Sequence, residues 1–450
     1  MSGSEIKMKK FAKYLTPART IALGFAGLIL LGSILFMLPF SVKEPGSISY
    51  IDALYTSASA VCVTGLLAFD PGVALTPIGQ GILAVLMQIG GLGVATVGAS
   101  IILMMRKKIN VRGRNIIREA GNLGSGKGVV QFVIDVLITT LIIELAGAIL
   151  TFTVLIRNMP FPEALGKSLF HSIAAFNNAG FDIFAYSSDF YSNGSIAGYH
   201  DNVFFNIVTM ALIILGGIGF LVIREVMEKK WHWKKYSMHA RVVIVTSAVL
   251  ILFGALLIKL TEGEGESWLG AIFQSVTTRT AGFSTSDLSK YSDAGLIVLI
   301  SLMFIGASPG STGGGIKTTT FFVIVQGIKS AATNKSEKAF KYSLPKEAFK
   351  KAAVIAFMGI GIILVSTFLL LAFEASNPSV TVRDALFEMT SAFGTVGLST
   401  GISQGLSLPS KILSILIMYI GRLGPLTIAT LWYFNKGERV EYPEGNIAIG

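Results

Sequence analysis

SAVCVTG, at residues 59–65, ends in a glycine, and so do three further short segments: AAFNNAG (174–180), TTRTAG (277–282) and AFGTVG (392–397). Each segment follows a short half-apolar stretch and lies between long apolar runs. The terminal glycines recur at intervals of 115, 102 and 115 residues. This regularity predicts four pseudo-repeats of helix, re-entrant pore hairpin and helix around one central axis.

The composition predicts an all-α integral membrane protein. Hydrophobic residues make up 52% of the chain, charged residues only 14%, and the mean hydropathy is +0.67. A helix needs roughly 20 apolar residues to cross about 30 Å of hydrocarbon. We predict eight such spans, two in each repeat: 20–40, 76–105, 129–156, 203–223, 242–260, 295–328, 352–373 and 412–434. The span 295–328 is predicted to be interrupted.

The spans divide the chain into repeats and flanking segments. The repeats are predicted at 20–128, 129–241, 242–346 and 347–435, between an N-terminal segment 1–19 and a tail 436–450. Lys and Arg concentrate in the N-terminal segment and in the loops 106–127, 224–241 and 329–351, which are therefore predicted to be cytoplasmic. Both termini then lie inside, and the hairpins enter from outside. The basic loops either dock a cytosolic partner or only set this topology.

The net charge of +11 follows from the same bias, and no basic soluble domain is present that would bind nucleic acid. The single cysteine, Cys62, rules out an internal disulfide framework and is expected to be a packing residue. His171 and His239 lack the spacing of metal ligands, and no nucleophile, base and carboxylate set indicates an enzyme.

Glycine at the end of each hairpin suits a narrow cation pathway. Such a pathway replaces the hydration shell of the ion with backbone carbonyls, and glycine lets main chain approach an axis at positive φ. The preceding half-helix points its negative end at the same place. The carbonyls predicted to coordinate the ion belong to Val63, Thr64, Asn178, Ala179, Thr280, Ala281, Thr395 and Val396, beside Gly65, Gly180, Gly282 and Gly397. For any single glycine, a packing or turn role is the alternative.

A second set of glycines follows the first in all four repeats. The second spans carry IGGLG (89–93), LGGIG (215–219), IGA (305–307) and IGRLGP (420–425). The first glycines of these motifs lie 25, 36, 24 and 24 residues after the hairpin glycines. Small residues at these places allow close packing or bending of the helices.

The third repeat contains a polar, glycine-rich interruption, SPGSTGGGIKTTT (308–320). Non-helical backbone at membrane depth is tolerated where it lines a cavity or is buried in protein. A phosphate-binding loop is disfavoured, since Ile316 separates the last glycine from Lys317 and no strand precedes the loop. We predict a gating loop over residues 308–318, formed by Gly310, Ser311, Thr312, Gly313, Gly314, Gly315 and Lys317.

Two arginines occupy unusual positions. Arg422 lies well inside the last span, where an unpaired charge costs several kcal/mol. Either it faces the pathway and repels cations, or it pairs with a loop carbonyl or with Glu144 or Asp135. Arg279 lies within the third hairpin, where a salt bridge with Glu388 or Asp384 is possible and a structural role is favoured over contact with the ion.

The motifs resemble those of the superfamily of potassium transporters that includes the Trk, Ktr and plant HKT proteins. The motifs that carry the resemblance are AFNNAGF (175–181), TAGF (280–283), SAFGTVGL (391–398), GSTGGGIKTTT (310–320) and GRLGPLT (421–427). The length of 450 residues, eight predicted spans and the ending EYPEG (441–445) resemble the membrane subunit of bacterial Ktr systems, of the KtrB or KtrD type, more than Trk or HKT.

The resemblance implies a homodimer in the bacterial plasma membrane with one pore in each protomer. It also implies a cytosolic octameric ring of nucleotide-binding regulatory subunits, of the KtrA or KtrC type. Nucleotides act on that ring, so no cofactor is expected on this chain, and Na⁺ often stimulates transport. The four hairpin glycines correspond to the selectivity filter of the family, and residues 310–317 with Arg422 to its gate.

Gated, passive K⁺ uptake is the predicted function. HKT relatives that transport Na⁺ carry serine at the first filter position, where this chain has Gly65. The third hairpin is one residue shorter and contains Arg279, which leaves its carbonyl register open. The alternatives are a Na⁺ or mixed Na⁺/K⁺ transporter, a membrane scaffold without transport, and a polytopic membrane enzyme.

Overall fold

The computed structural model describes residues 16–106, 109, 111–121, 128–184, 195–230, 232–345 and 347–431. Within these residues the fold is helical apart from one short hairpin of β1 (Lys338–Ala339) and β2 (Tyr342–Ser343). The basic N-terminus up to residue 15 and the predicted tail 436–450, with EYPEG, lie outside the described residues.

The first repeat contains a long outer helix, a short pore helix and a bent pair. Its helices are α1 (Pro17–Phe36), α2 (Tyr50–Cys62), α3 (Pro71–Ala74), α4 (Pro77–Leu92), α5 (Val94–Met104) and α6 (Val111–Ala120). Ser49 caps α2 by accepting a hydrogen bond from the Asp52 backbone N–H, and α2 ends where Val63 adopts a left-handed conformation.

The other repeats follow the same plan. The second contains α7 (Val129–Leu155), α8 (Phe161–Phe176), α9 (Val203–Ile218) and α10 (Phe220–Lys229). The third contains α11 (Met238–Glu262), α12 (Trp268–Thr277), α13 (Asp293–Phe304) and α14 (Thr318–Thr333). The fourth contains α15 (Ala348–Phe373), α16 (Val382–Gly394), α17 (Leu408–Leu423) and α18 (Pro425–Leu431).

All four second helices are broken: the predicted interruption in the third repeat is present, and the other three helices break at the glycine motifs that allow bending. The axis turns by 101° between α4 and α5 and by 102° between α9 and α10. Gly93, Gly219 and Gly424 stand at three of the breaks with φ of 84°, 96° and 87°. A side chain is strained at such angles, so glycine ends one helix and lets the next begin in a new direction.

The long helices are apolar enough to cross a membrane. α1, α7, α11 and α15 meet this condition by length and composition, and counting each bent pair as one span raises the number to six among the described residues. Their outer faces carry exposed large apolar residues such as Leu30, Leu141, Leu252 and Phe368. Such a surface suits lipid contact. The count of eight spans stays a prediction.

The first and last repeats meet and close the bundle. Lys411 Nζ lies 2.7 Å from Asp52 Oδ1, and the Tyr419 hydroxyl donates to the Ala22 carbonyl at 2.6 Å. The Lys411 side chain is only 11% exposed, and Asp52 also accepts a 2.6 Å hydrogen bond from the Ser49 hydroxyl. The ion pair therefore joins α17 to the pore helix of the first repeat.

We expect Lys411→Met to destabilise the protein, because it leaves the partly buried Asp52 carboxylate without its cation. The loss should be about 1–2 kcal/mol, between the values for exposed and fully buried pairs. Thermal unfolding in detergent measures it. Lys290→Met is the matched control, since the 79% exposed Lys290 pairs with Asp287 at 3.3 Å. An equal loss in both variants would contradict the closing role of Lys411.

Candidate functional site

The four glycine-ended segments share one backbone conformation. The residue two positions before each glycine has positive φ, at Val63, Asn178, Thr280 and Thr395, with values of 57°, 56°, 73° and 50°. The glycines follow with φ of 98°, 68°, 85° and 95° at Gly65, Gly180, Gly282 and Gly397. Alternation of handedness turns successive peptide carbonyls toward the same side. The third segment therefore has the same register as the others, despite its shorter connection.

The four segments form a closed ring. A Cβ added to Gly65 would lie 2.6 Å from the Ala179 carbonyl oxygen, and one on Gly180 would lie 2.7 Å from that of Ala281. A Cβ on Gly282 would meet the carbonyl of Val396, and one on Gly397 that of Thr64, at still shorter distances. Each glycine thus abuts the next segment in cyclic order, and only glycine fits at this spacing.

Hydrogen bonds from the pore helices hold the segments in place. The Ser59 hydroxyl accepts from the Gly65 N–H at 3.0 Å, and Ser391 accepts from Gly397 N–H at the same distance. In the third repeat the Thr277 hydroxyl donates to the Phe283 carbonyl at 2.7 Å. The sequence reasoning missed these residues, although serine stands six positions before glycine in both the first and the fourth segment.

A buried amide and acid lie behind the second segment. The Asn177 amide donates to Glu144 Oε1, Gln88 Oε1 and the Ile173 carbonyl, each at 2.9 Å. This links the pore helix of the second repeat to α7 and α4. Glu144 therefore accepts a hydrogen bond from Asn177, and it does not pair with Arg422.

Among the described residues Arg279 forms no salt bridge, so the pairing with Glu388 or Asp384 that the sequence offered is not observed. Its guanidinium donates to the Ser247 hydroxyl at 3.0 Å and to the Ser247 carbonyl at 3.4 Å on α11. Glu388 instead accepts from the hydroxyls of Ser399, at 2.8 Å, and Ser403. Asp384 forms a capping box with Thr381. The side chain of Arg279 extends away from the ring toward the outer helix.

The interruption in the third repeat is a loop with a closed neck. Ile305 and Ile316 form an isolated parallel bridge, and the Ser308 and Thr318 hydroxyls lie 2.9 Å apart. The Ser308 N–H donates to the Gly217 carbonyl at 3.0 Å. The two ends of the loop are thus joined to each other and to α9.

The tip of the loop lies against the ring. The Gly314 N–H donates to the Thr395 hydroxyl at 3.0 Å, and the Thr312 hydroxyl donates to the Phe176 carbonyl at 3.3 Å. A Cβ added to Gly313 would collide with Thr280. Gly313 and Gly314 therefore allow the loop to touch segments from two repeats at once.

Two cations hold the loop from below. Lys317 Nζ donates to the Gly313 carbonyl at 2.7 Å and to the Gly314 carbonyl at 3.3 Å. Arg422 donates to the carbonyls of Thr312, Gly90 and Gly91, the last at 3.2 Å. Neither cation forms an ion pair within the described part of the chain. Asp135 pairs with Arg224 at 3.2 Å, so of the partners considered for Arg422 the loop carbonyl is the one observed.

A cavity of about 250 Å³ lies beyond the loop, on the side opposite the ring. Its wall includes Gly310, Lys317 and Arg422, together with Glu119 at the end of α6. The loop therefore separates this cavity from the ring. The Cys62 side chain is fully buried at the end of its pore helix, as expected for a packing residue.

The known proteins that this chain resembles are cation transport or uptake proteins. The chain matches the TrkH family, described as a cation transport protein, over residues 28–261 and 237–438. The Ktr system potassium uptake protein B of Bacillus subtilis is 34% identical and covers 100% of both chains. The potassium/sodium uptake protein NtpJ of Enterococcus hirae is 34% identical over 99% of this chain and 100% of its own.

A solved structure has the same fold. The potassium transporter TrkH from Vibrio parahaemolyticus superposes with a TM-score of 0.70 over 92% of this chain and 84% of its own, at 19% identity. The predicted helical fold with re-entrant hairpins and the predicted family are confirmed. The protein is a multi-pass membrane transporter and not an enzyme. The chain belongs to the TrkH family of cation transport proteins.

Proposed function

We propose that this chain is the ion-translocating subunit of a bacterial potassium uptake system, and that K⁺ crosses the membrane through the glycine ring. The observation that carries the proposal is the closed ring of Gly65, Gly180, Gly282 and Gly397, in which each glycine abuts a carbonyl of the next repeat. A ring of this kind presents backbone oxygens from all four repeats to a single axis.

The carbonyls of the ring would replace the hydration shell of K⁺. The oxygens belong to the eight residues predicted from the sequence, from Val63 and Thr64 in the first repeat to Thr395 and Val396 in the fourth. The four pore helices end directly before these segments, and the negative ends of their dipoles favour a cation. The membrane potential drives uptake with about 2.3 kcal/mol per charge per 100 mV.

The intramembrane loop, residues 305–317, would act as the gate. It separates the ring from the cavity below, and Lys317 and Arg422 place positive charge on the path of a cation. The loop is held in this position by hydrogen bonds to Phe176 and Thr395 and by a hydrogen bond from Arg422. Conduction then requires the tip of the loop to leave the axis while its neck stays closed.

The proposal also covers the orientation of the subunit in the membrane, its partners and its activating ion. The basic loops favour a bacterial membrane protein with both termini in the cytoplasm, in which the hairpins would enter from outside. Three relatives carry the name Ktr system potassium uptake protein, which supports a membrane subunit that works with a cytosolic regulatory subunit. We propose that the chain forms a homodimer and that this partner is an octameric, nucleotide-binding ring of the KtrA or KtrC type. The chain itself would bind no cofactor, and Na⁺ would act as an activator.

Complementation tests the proposal. The chain, expressed with a regulatory subunit from its own genome in cells without K⁺ uptake systems, should restore growth at low external K⁺. Rubidium tracer uptake should be blocked by excess K⁺ and little affected by equal Na⁺. If cells that contain the protein in their membrane still fail to grow at low external K⁺, the result would contradict a transport function.

A mixed Na⁺/K⁺ transporter is the second candidate, because the relative NtpJ is named a potassium/sodium uptake protein. Equal competition by Na⁺ and K⁺ in the uptake assay would favour it. A scaffold without transport would give neither rescue nor uptake.

Arg422→Gln should raise the K⁺ flux about fivefold, because the one hydrogen bond from Arg422 to the loop, at the Thr312 carbonyl, is worth about 1 kcal/mol in holding the loop. Flux into proteoliposomes at a fixed potential measures the change. Arg422→Lys separates charge from tethering, since lysine keeps the charge but cannot reach three carbonyls at once. Equal flux in the Lys and Gln variants would show that tethering dominates, whereas wild-type flux in both would contradict a gating role.

A further inference from the structure

An apolar groove of about 660 Å³ runs between α15 and the broken helix α13–α14. Its α15 wall contains Ala353, Phe357, Ile360 and Leu364, and all described lining residues are apolar except Ser301 and Thr390. The volume is typical of a ligand pocket. The groove opens on the outside of the bundle, away from the ring, so it is separate from the cation pathway.

One end of the groove is basic. Lys350 precedes Ala353 and Phe357 on the same helical stripe, at the spacing of three and four residues that aligns side chains on one face. Lys351 follows it, and Lys329 follows the lining residue Ile328 on α14. All three lysines are exposed, and Glu347 is the acid beside them. This end belongs to the face that we propose to be cytoplasmic.

The groove has the length of a lipid chain. From Phe349 to Leu364 it follows α15 for about 22 Å, at 1.5 Å per residue. One leaflet of the hydrocarbon core is about 15 Å thick. A chain anchored at the lysines would therefore fill the groove to beyond the middle of the membrane. We propose that the groove binds one anionic phospholipid, with its phosphate at Lys350 and one acyl chain along α15.

The lipid would lie against the residues that hold the neck of the loop. Phe304 and Ile305 line the groove, and Ile305 forms the bridge to Ile316. On α15, a Cβ added to Gly359 would lie 3.0 Å from Ile316 Cδ1 and 3.3 Å from Phe304 Cε2. A filled groove thus supports the packing around Ile316 from the membrane side.

Mass spectrometry of the intact protein, released from detergent with phosphatidylglycerol or phosphatidylcholine added, tests the proposal. The wild-type protein should retain phosphatidylglycerol in preference to phosphatidylcholine. Ala353→Trp fills the groove and should abolish retention, whereas Val354→Trp, at the same depth but outside the groove, should leave it unchanged. Lys350→Gln should weaken phosphatidylglycerol retention about fivefold, the contribution of one lysine near an anionic lipid.

Three outcomes would overturn the proposal. The first is equal retention of both lipids by the wild type, and the second is equal loss in Ala353→Trp and Val354→Trp. The third is a change of Ala353→Trp from dimer to monomer with the bound lipid kept, which would make the groove a surface for a second copy. Unfolding temperatures close to wild type in both tryptophan variants establish that they are folded.

Discussion

Replacement of Gly65 by serine should lower the preference for K⁺ over Na⁺ about tenfold, equivalent to about 1.4 kcal/mol. The reason is the packing of the ring. A Cβ at this position would lie 2.6 Å from the Ala179 carbonyl oxygen and 3.0 Å from the Gly180 Cα, so the second segment must move. The carbonyls then no longer match K⁺. Competition between Na⁺ and rubidium tracer in proteoliposomes measures the preference.

Gly46→Ser is the matched control. Gly46 has φ of 88°, close to the 98° of Gly65, but a Cβ there meets no atom within 4 Å. Both variants therefore carry similar backbone strain, and only one disturbs the ring. Loss of preference in both would assign the effect to strain, and a wild-type preference in Gly65→Ser would contradict the filter assignment.

Deletion of residues 311–314 should raise the K⁺ flux about a hundredfold, because the closed loop loses hydrogen bonds worth about 3 kcal/mol together. Those bonds run from Gly314 to Thr395, from Thr312 to Phe176 and from Arg422 to Thr312. The neck does not depend on the deleted residues, since Ile305 pairs with Ile316 and Ser308 with Thr318. The shortened chain should therefore fold.

Ser311→Gly controls for the change in composition, because it keeps the length of the loop and removes a hydroxyl that has no hydrogen-bond partner among the described residues. Its flux should stay within about twofold of wild type. If the deletion variant reaches the membrane and conducts like wild type, the loop is not the gate.

The repeats and the family were predictable because close approach at an axis requires glycine at the same place in each repeat. The fold class followed from four glycines and the apolar runs between them. The closed ring adds what sequence spacing does not contain, namely the order in which Gly65, Gly180, Gly282 and Gly397 contact one another.

At Gly93 and Gly219 the sequence allowed either close packing or bending, and it did not give the angle, because apolar residues continue on both sides of each break and hydropathy carries no information about direction. The sequence did not identify the partner of Arg279 for a related reason. Ser247 lies 32 residues away on another helix, and the choice between it and Glu388 depends on how those helices are rotated.

Ser59 and Ser391 could have been found. Each stands six residues before a ring glycine, and each accepts a hydrogen bond from its N–H at 3.0 Å. The second repeat has Ala174 at the equivalent place, where only backbone is available to bond. A search for residues shared by two repeats, instead of all four, would have detected the pair.

Closure of the ring between the first and last repeats has a consequence for synthesis of the protein. Gly397 abuts Thr64, and Lys411 binds Asp52 across 359 residues of chain. A nascent chain that lacks its final hairpin therefore has an open ring with three of its four sides. If the ring is the ion pathway proposed above, the membrane is exposed to a complete pathway only after the ribosome has translated the fourth hairpin.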